Sequence, residues 1–165
     1  MREQGRAGGS LRLDSQTPLD GADMPLQWRE QMSVNNLIID LDHKYLLCLI
    51  NTVELSLRHP ESTDHLRIAL EQLSQYAREH FDREERIQYA IKYPQYVEHK
   101  LTHQRLLERL AGLTERILVE RDDQNLSGDP EELTQLLRDW LLDHVLKEDM
   151  KLKPHLSLHP ANLLG

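Results

Sequence analysis

The sequence predicts an all-α protein, an antiparallel up-down-up-down four-helix bundle. Leu, Glu, Arg and Gln are abundant among the 165 residues, with only 7 Gly, 7 Pro and 5% aromatic residues, which favours helix over sheet. Apolar residues recur at helical spacing in four segments. Short connections between the segments make neighbouring helices antiparallel. A chain of this length is most simply one domain.

Both ends of the chain are expected to lie outside the bundle. Residues 1–24 mix Gly, Ser, Asp and Pro without apolar periodicity, and we predict a disordered extension there. The bundle is predicted to occupy residues 25–153, with Trp28 and Val34 holding its lead-in loop against the core. Residues 154–165 are predicted to form a tail.

The first helix is predicted from about Leu37 to Arg58, because Pro60 interrupts the pattern. Cys48 is expected to be a small buried residue, and a single cysteine cannot form an internal disulfide, which suits a reducing compartment. The apolar pattern that predicts the inward face consists of Leu41, Tyr45, Cys48, Leu49, Thr52 and Val53.

The second and third helices are separated by the sequence KYPQY. The second is predicted to begin near Ser62, a candidate cap, and to continue to about Ala90. Pro94 suits the first position of the third helix, which extends to about Glu120. Their inward positions are predicted to be Leu66, Ala69, Leu70, Leu73 and Ala77, followed by Leu106, Leu110, Leu113 and Ile117.

The fourth helix follows a polar loop and begins at the sequence DPEE. Asp129 is expected to cap it, Pro130 to lie in its first turn, and Glu132 to reach back towards the cap. The helix is predicted to run to about Leu152.

The charge of the chain restricts its partners. A formal net charge of -8 and a pI near 5.6 argue against a general affinity for nucleic acid or anionic membranes. No stretch reaches the roughly 20 apolar residues that span a bilayer, and the N-terminus lacks the apolar core of a signal peptide. A cytoplasmic protein is therefore expected.

Histidines recur on all four predicted helices. The stretch VEHKLTH places His99 and His103 on one helical face about 6 Å apart. One such pair alone is more often a surface coincidence than a metal site. Every other helix also carries candidates beside its apolar positions, namely His43, then His80 with Glu84, then His144 with Asp149.

Metal binding explains these inward-facing polar residues together. An unpaired polar group in a core costs about 1–3 kcal/mol, so five imidazoles and two carboxylates need common partners. Seven ligands exceed the needs of one octahedral ion, whereas two ions sharing the carboxylates would leave a coordination position free. Nitrogen and oxygen donors without thiolate suit iron, manganese or zinc.

The spacing on the fourth helix requires a local irregularity. His144 and Asp149 are five residues apart, which separates them by about 140° on an ideal helix. Glu148 lies on the same face as His144 and is therefore the competing candidate. A π-bulge, or Asp149 reaching from the flank, would reconcile Asp149 with the site.

The segments IDLDHK, HFDREE, YPQYVEHKLTH and WLLDHVLKED, with the leading Trp28, resemble the hemerythrins, specifically their single-domain bacterial form. The resemblance covers about Trp28 to Leu152. It implies two iron ions: one bound by His99, His103 and His144, the other by His43 and His80 with an open position for dioxygen. It further implies that Glu84 and Asp149 bridge the ions together with an oxo or hydroxo group.

The same resemblance implies reversible dioxygen binding for transport, storage or scavenging, and no enzymatic activity. One alternative is a sensor of oxygen, redox state or nitric oxide that acts through an unknown protein partner. Another is a di-iron enzyme acting on peroxide, nitric oxide or oxygen. Oxygen-activating bundles of the ferritin type use Glu-x-x-His pairs, which this sequence lacks. A metal-free interaction module would leave the inward histidines unexplained.

The chain departs from the hemerythrin pattern at three positions: Asn35 where glycine is common, Gln88 where methionine is frequent, and Leu106 where phenylalanine is frequent. Asp40 is expected either to support His43 or to have a solvated or capping role. Candidates for lining an oxygen pocket are Leu107, Trp140 and Leu142, with ordinary core packing as the alternative. Residues expected at the surface are His59, His65, His155 and His159.

Overall fold

The computed structural model describes residues 24–58, 63–122 and 130–164, and within them the chain is helical without strands. The predicted extension up to residue 23, Ser62 and Asp129 lie outside the described residues. The described part of the fold is built from four long helices: α1 (Leu37–Arg58), α2 (Thr63–Ala90), α3 (Tyr96–Asp122) and α4 (Pro130–Asp143). α4 is followed by a π-helical turn (His144–Glu148), a 3-10 turn (Asp149–Lys151) and α5 (Lys153–Leu156). Another 3-10 turn (Glu30–Met32) lies in the lead-in to α1.

Contacts between helices establish the antiparallel order. Asp42, near the start of α1, bonds to Arg83 in the second half of α2. Glu85, near the end of α2, is paired with Lys100 near the start of α3. Each pair joins the start of one helix to the far part of its neighbour. The predicted four-helix bundle is confirmed.

The fourth helix packs beside the first in the opposite direction. Arg138 in α4 binds Glu54 near the end of α1. Further along the chain, Asp149 reaches His43 near the start of α1. No helix in the described part of the chain is long and apolar enough to cross a membrane.

The apolar core is divided into two clusters. The larger core extends over all four long helices and includes Ile50, Leu70, Phe81, Leu110 and Leu137. The smaller core lies where α1 begins, α2 ends and the chain continues beyond α4, and it consists of Val34, Ile39, Ile87, Tyr93, Leu152 and Leu156. The candidate metal ligands on α1, on α2 and after α4 lie between residues of the two cores. The two cores therefore enclose one layer of the bundle, which contains these ligands.

The inward face of α1 differs from the prediction. Leu41 is 62% exposed, Tyr45 is 48% exposed, and Cys48 and Thr52 are exposed as well. The prediction is wrong at these positions because α1 carries apolar residues on both sides, so periodicity alone does not distinguish the inner face from the outer one. Two of the six predicted residues are buried, and the buried face contains Ile39, His43, Leu46, Leu49, Ile50, Val53 and Leu57.

The lead-in to α1 is held by local hydrogen bonds. The Asn36 side chain accepts bonds from the backbone N–H groups of Ile38 and Ile39, which caps the helix. Asp40 accepts bonds from the Ser33 hydroxyl and the Val34 N–H, so it secures the loop. Trp28 packs against the larger core, as predicted, and Val34 is fully buried.

Asn35 adopts a left-handed backbone conformation with φ of 65°. Glycine reaches this region without strain, and asparagine tolerates it better than most residues. The departure from the glycine of the hemerythrin pattern therefore preserves the turn. The Asn35 side chain also donates to the Ser157 hydroxyl, which joins the lead-in to the C-terminal segment.

Three boundaries differ from the sequence-based expectation. The fourth helix ends as an α-helix at Asp143 and not near Leu152, because the π-helical turn follows it. Pro94 is not the first residue of α3: Tyr96 begins it, and its N–H bonds to the Tyr93 carbonyl in a preceding turn. Beyond Pro154, the predicted tail continues in α5, where Leu156 is buried in the smaller core. The pattern KYPQY thus locates the break between helices but not the register at which the next helix begins.

Candidate metal centre

Seven buried polar side chains meet between the two cores. Each offers an atom for one of two groups in which the candidate ligand atoms lie within 4.8 Å of one another. The first group consists of His99, His103, His144 and Asp149, and the second of His43, His80, Glu84 and Asp149. The structure thus brings together all seven residues that the sequence singles out, and Asp149 belongs to both groups.

Asp149 lies at the middle of this cluster. Its Oδ2 atom is 3.1 Å from His43 Nε2, and its Oδ1 atom is 3.1 Å from His144 Nε2. The same Oδ1 atom is 3.2 Å from His99 Nε2. One carboxylate therefore faces imidazoles from α1, α3 and the π-helical turn.

Glu84 occupies a second central position. Its Oε1 atom is 2.9 Å from His99 Nε2 and 3.6 Å from His103 Nε2, whereas Oε2 is 3.6 Å from His80 Nε2. The two oxygens of Glu84 consequently face different groups. All five rings direct Nε2 towards the two carboxylates, which is the arrangement that places lone pairs around a common space.

The π-helical turn accounts for the unusual spacing on the fourth helix. The Asp149 N–H bonds to the His144 carbonyl, an i to i+5 bond in which the backbone takes up one residue more than an α-turn does. This bulge agrees with the predicted π-bulge and brings Asp149 to the same side as His144. Glu148 lies outside both groups and pairs with Lys151 at 2.8 Å.

Hydrogen bonds among the described residues leave several of these atoms unsatisfied. Both carboxylate oxygens of Asp149, Glu84 Oε2, and the Nε2 atoms of His43 and His99 are buried without a hydrogen-bond partner there. Such atoms destabilise a fold by about 1–3 kcal/mol each unless something else binds them. Cations would satisfy all of them, because each of these atoms can donate a lone pair.

Electrostatic interactions favour ionised carboxylates in the cluster. Burial opposes ionisation of Asp149, but the nearby imidazoles of His144, His43 and His99 outweigh it and hold the pKa of Asp149 well below the usual value. Burial also lowers the pKa of His144 to about 4, so this imidazole is neutral and has a free lone pair.

His99 behaves differently because it lies between the carboxylates. Burial alone would lower the pKa of His99, but the adjacent carboxylates of Asp149 and Glu84 raise it to about 10. The metal-free cluster therefore holds a proton on His99. A cation that binds through this ring must displace that proton.

Comparison with known proteins gives the family. The Hemerythrin HHE cation binding domain matches residues 36–156, which is most of the chain. The chain belongs to the hemerythrin family. It is 28% identical over 121 residues to a bacteriohemerythrin of Campylobacter jejuni subsp. jejuni, covering 73% of this chain and 87% of that protein.

Two further relatives come from other organisms. A hemerythrin-like protein of Naegleria gruberi is 28% identical over 129 residues, covering 78% of this chain and 92% of the relative. A bacteriohemerythrin of Stenotrophomonas maltophilia is 23% identical over 138 residues, covering 81% and 83% respectively. Membership of the hemerythrin family agrees with the resemblance inferred from the sequence, and its cation-binding domain spans both ligand groups.

Asp42 is a site residue that the sequence analysis of this hemerythrin domain missed. Its Oδ2 atom is 3.3 Å from His80 Nδ1, and Arg83 and Tyr76 also donate to the carboxylate. Burial opposes ionisation of Asp42, but these bonds outweigh it and hold its pKa far below the usual value. Asp42 thus fixes the ring of His80 with Nε2 directed inward. No spacing along α1 indicates this role, because the ring that Asp42 contacts lies on α2.

Glu85 has the corresponding role on the other side of the hemerythrin site. Its Oε1 atom is 3.1 Å from His103 Nδ1, and its Oε2 atom is paired with Lys100. The sequence analysis missed it because neighbouring positions on a helix normally point in different directions. Here Glu84 points inward and Glu85 reaches the back of a ring on α3.

Phe81 forms part of the apolar wall of the site and was also missed. Its ring stacks on His103 at a centroid distance of 3.8 Å and also contacts His80 and His144. Trp140 is buried and contacts Phe81 edge-on, and Leu107 is half-buried against the larger core. The side chain of Leu142 lies outside the described residues, so its predicted pocket role stays a prediction.

The other histidines that the structure describes do not join the ligand groups. His65 and His159 are exposed, as predicted, and His59 lies outside the described residues. His155 is half-buried, and its ring packs edge-on against Tyr93 at 5.1 Å. The exposed Cys48 thiol takes no part in either group, so the donors of the hemerythrin site are nitrogen and oxygen alone.

Proposed function

We propose that this hemerythrin domain holds two iron ions and binds dioxygen reversibly. His99, His103 and His144 bind one ion, and His43 and His80 bind the other. Glu84 and Asp149 would be shared by the two ions, together with an oxo or hydroxo group. The ion with two imidazoles would be the one that takes dioxygen. The protein then serves as an oxygen carrier, store or scavenger and not as an enzyme.

The observation that carries this proposal is the unequal number of imidazoles in two groups that share a carboxylate. One group contains three histidines and the other contains two, while Asp149 belongs to both. Glu84 directs Oε1 towards His99 of the first group and Oε2 towards His80 of the second. If both carboxylates are shared, the ion with two imidazoles has one protein donor fewer than the ion with three. A position without a protein donor is what an exchangeable ligand needs.

The residues around the ligands have supporting roles. An iron pair supplies the electrons for reversible oxygen binding, which nitrogen and carboxylate side chains cannot do themselves. Asp42 and Glu85 orient one imidazole in each group. Phe81 and Trp140 present apolar surface, which limits the access of water and so slows the irreversible loss of electrons.

The proposal is tested by loading the metal-free protein with ferrous iron in the absence of oxygen. Oxygen is then added and removed in repeated cycles while the visible absorption and the iron content are measured. Reversible oxygen binding predicts an absorption band that appears and disappears over several cycles with about two iron ions per chain. A band that bleaches irreversibly, or sustained consumption of oxygen, peroxide or nitric oxide, would instead support an enzyme.

Asp42→Asn is expected to weaken retention of iron about tenfold or more, because a carboxylate that orients a metal-binding imidazole typically contributes 10–100-fold to metal affinity. The substitution removes the negative charge that fixes His80 and leaves all proposed ligands in place. The rate at which a chelator removes iron measures the effect.

Glu54→Gln is the matched control for this substitution. Glu54 is buried and forms the same two-bond pair with Arg138 that Asp42 forms with Arg83. This pair lies away from the proposed ligands, so its loss should affect stability without accelerating iron release. Equal release rates for the two variants would show that Asp42 acts only through general stability.

A further inference from the structure

Gln88 is a buried polar residue that neither ligand group contains. It lies on α2 one turn after Glu84 and has no exposed surface. Its Nε2 atom donates a hydrogen bond of 2.6 Å to Glu84 Oε1. Its own Oε1 atom has no hydrogen-bond partner among the described residues. Among the described residues, the buried amide of Gln88 therefore makes one side-chain hydrogen bond, and its acceptor is Glu84, a proposed bridging carboxylate.

The orientation of this amide follows from its neighbour. Turning the Gln88 side chain over would bring its oxygen against the oxygen of Glu84, and two acceptors repel each other. The amide nitrogen must therefore face the carboxylate, and the amide acts on Glu84 as a donor.

Gln88 donates its hydrogen bond to one oxygen of Glu84 and not to the other. Oε1, which accepts from Gln88, is the oxygen that lies 2.9 Å from His99 Nε2. Oε2 faces His80. The donor thus acts on the side of the carboxylate that faces the group with three histidines.

We propose that Gln88 is a positioning residue that lowers the donor strength of Glu84 and thereby favours the ferrous state of the iron pair. This inference rests on the proposed function. A hydrogen bond to an anionic ligand withdraws electron density from it, so the ligand stabilises the more highly charged metal less. The more reduced pair is the state in which an oxygen-binding protein must be kept.

A purely structural role accounts poorly for this residue. A methionine of similar length would fill the same space without burying an amide. The amide oxygen is buried without a partner among the described residues, which destabilises the fold. Packing alone does not offset this destabilisation, because an apolar side chain would pack without it. The hydrogen bond to Glu84 is the specific contribution that an apolar side chain cannot make.

Gln88→Met removes the donor and retains the approximate size of the side chain. Hydrogen bonds to charged groups are the stronger class, so the ratio of ferric to ferrous iron at a fixed potential should rise on the order of tenfold. A redox titration of the iron-loaded protein measures this ratio, and iron analysis should still find about two ions per chain.

Gln75→Met is the matched control. Gln75 lies on the same helix and donates to Glu79 Oε1 at 3.0 Å, also at a spacing of one turn, but this pair is exposed. The control removes the same kind of bond from α2 without affecting Glu84. Its redox titration should coincide with that of the unmodified protein.

A second measurement observes the bond directly and needs no oxygen chemistry. In a zinc-loaded, isotope-labelled sample, the Gln88 side-chain amide protons should exchange with heavy water much more slowly than those of the exposed Gln75. This comparison uses the unmodified chain, so it tests the hydrogen bond on which the inference rests even if Gln88→Met does not fold. Exchange as fast as that of Gln75 would contradict the hydrogen bond.

The outcomes separate this inference from the proposed function. If the unmodified protein binds two iron ions and cycles oxygen but Gln88→Met leaves the redox titration unchanged, the role of Gln88 is wrong and the proposed function stands. If the unmodified protein takes up no iron, the proposed function is wrong and the inference fails with it. A shift in Gln88→Met that Gln75→Met lacks supports the inference.

Discussion

Asp149→Ala is expected to reduce the iron content from two ions per chain to one or none. Asp149 is the one side chain that both ligand groups share, and its oxygens face His43, His99 and His144. Its removal deprives both proposed ions of a ligand and leaves buried imidazoles without their counter-charge. Elemental analysis after loading with ferrous iron and removal of excess metal measures the effect.

Glu148→Ala provides the control for this prediction. Glu148 is the neighbouring carboxylate, is only half-buried, and pairs with Lys151 on the outside of the π-helical turn. Its loss should leave two ions per chain. Two ions in Asp149→Ala together with loss of iron from Glu148→Ala would reverse the assignment and require a different register of this turn.

Removing the metal is expected to destabilise the bundle by on the order of 4 kcal/mol relative to a sample whose free metal is about 1,000 times its dissociation constant. The reason is that seven buried polar side chains lose the partner that satisfies them together. For a chain of this size, this corresponds to a fall in the unfolding temperature of roughly 10 °C. Thermal unfolding with and without a chelator measures the change.

Asp149→Ala also tests the origin of this destabilisation. If the variant holds no metal, a chelator cannot lower its stability, so its unfolding temperature should be the same in both conditions; if it retains one ion, the chelator should lower that temperature less than in the unmodified protein. An equal effect of the chelator on the variant and the unmodified protein would mean that the chelator acts elsewhere, and the metal would then contribute little to the fold.

The helices were predictable because their signals are local. Arg58 and Ala90 end α1 and α2 at the predicted residues, since prolines and polar stretches break a helix within a turn of where they occur. The inner face of α1 was not predictable in the same way. Leu41 and Tyr45 satisfy the same periodicity as buried residues such as Ile50, and only packing against α2 and α4 distinguishes the two faces.

Within the site, the proposed ligands could be predicted from the sequence, whereas the residues that orient them could not. The spacing of His99 and His103, and of His80 and Glu84, is visible in the sequence because each pair lies on one helical face. The carboxylates of Asp42 and Glu85 reach rings on different helices from their own. No periodicity within one segment could reveal those contacts.

The sequence by itself determined the helical class, the number of long helices and the residues with the chemistry to bind cations, because composition, breaks and helical spacing act along the chain. Tertiary structure alone decided which face of α1 points inward and that the bulge after α4 turns Asp149 towards three imidazoles. It also decided that Gln88 reaches Glu84 while its own oxygen stays without a partner among the described residues. These features depend on distances between segments and on burial, and both are set only when the helices pack together.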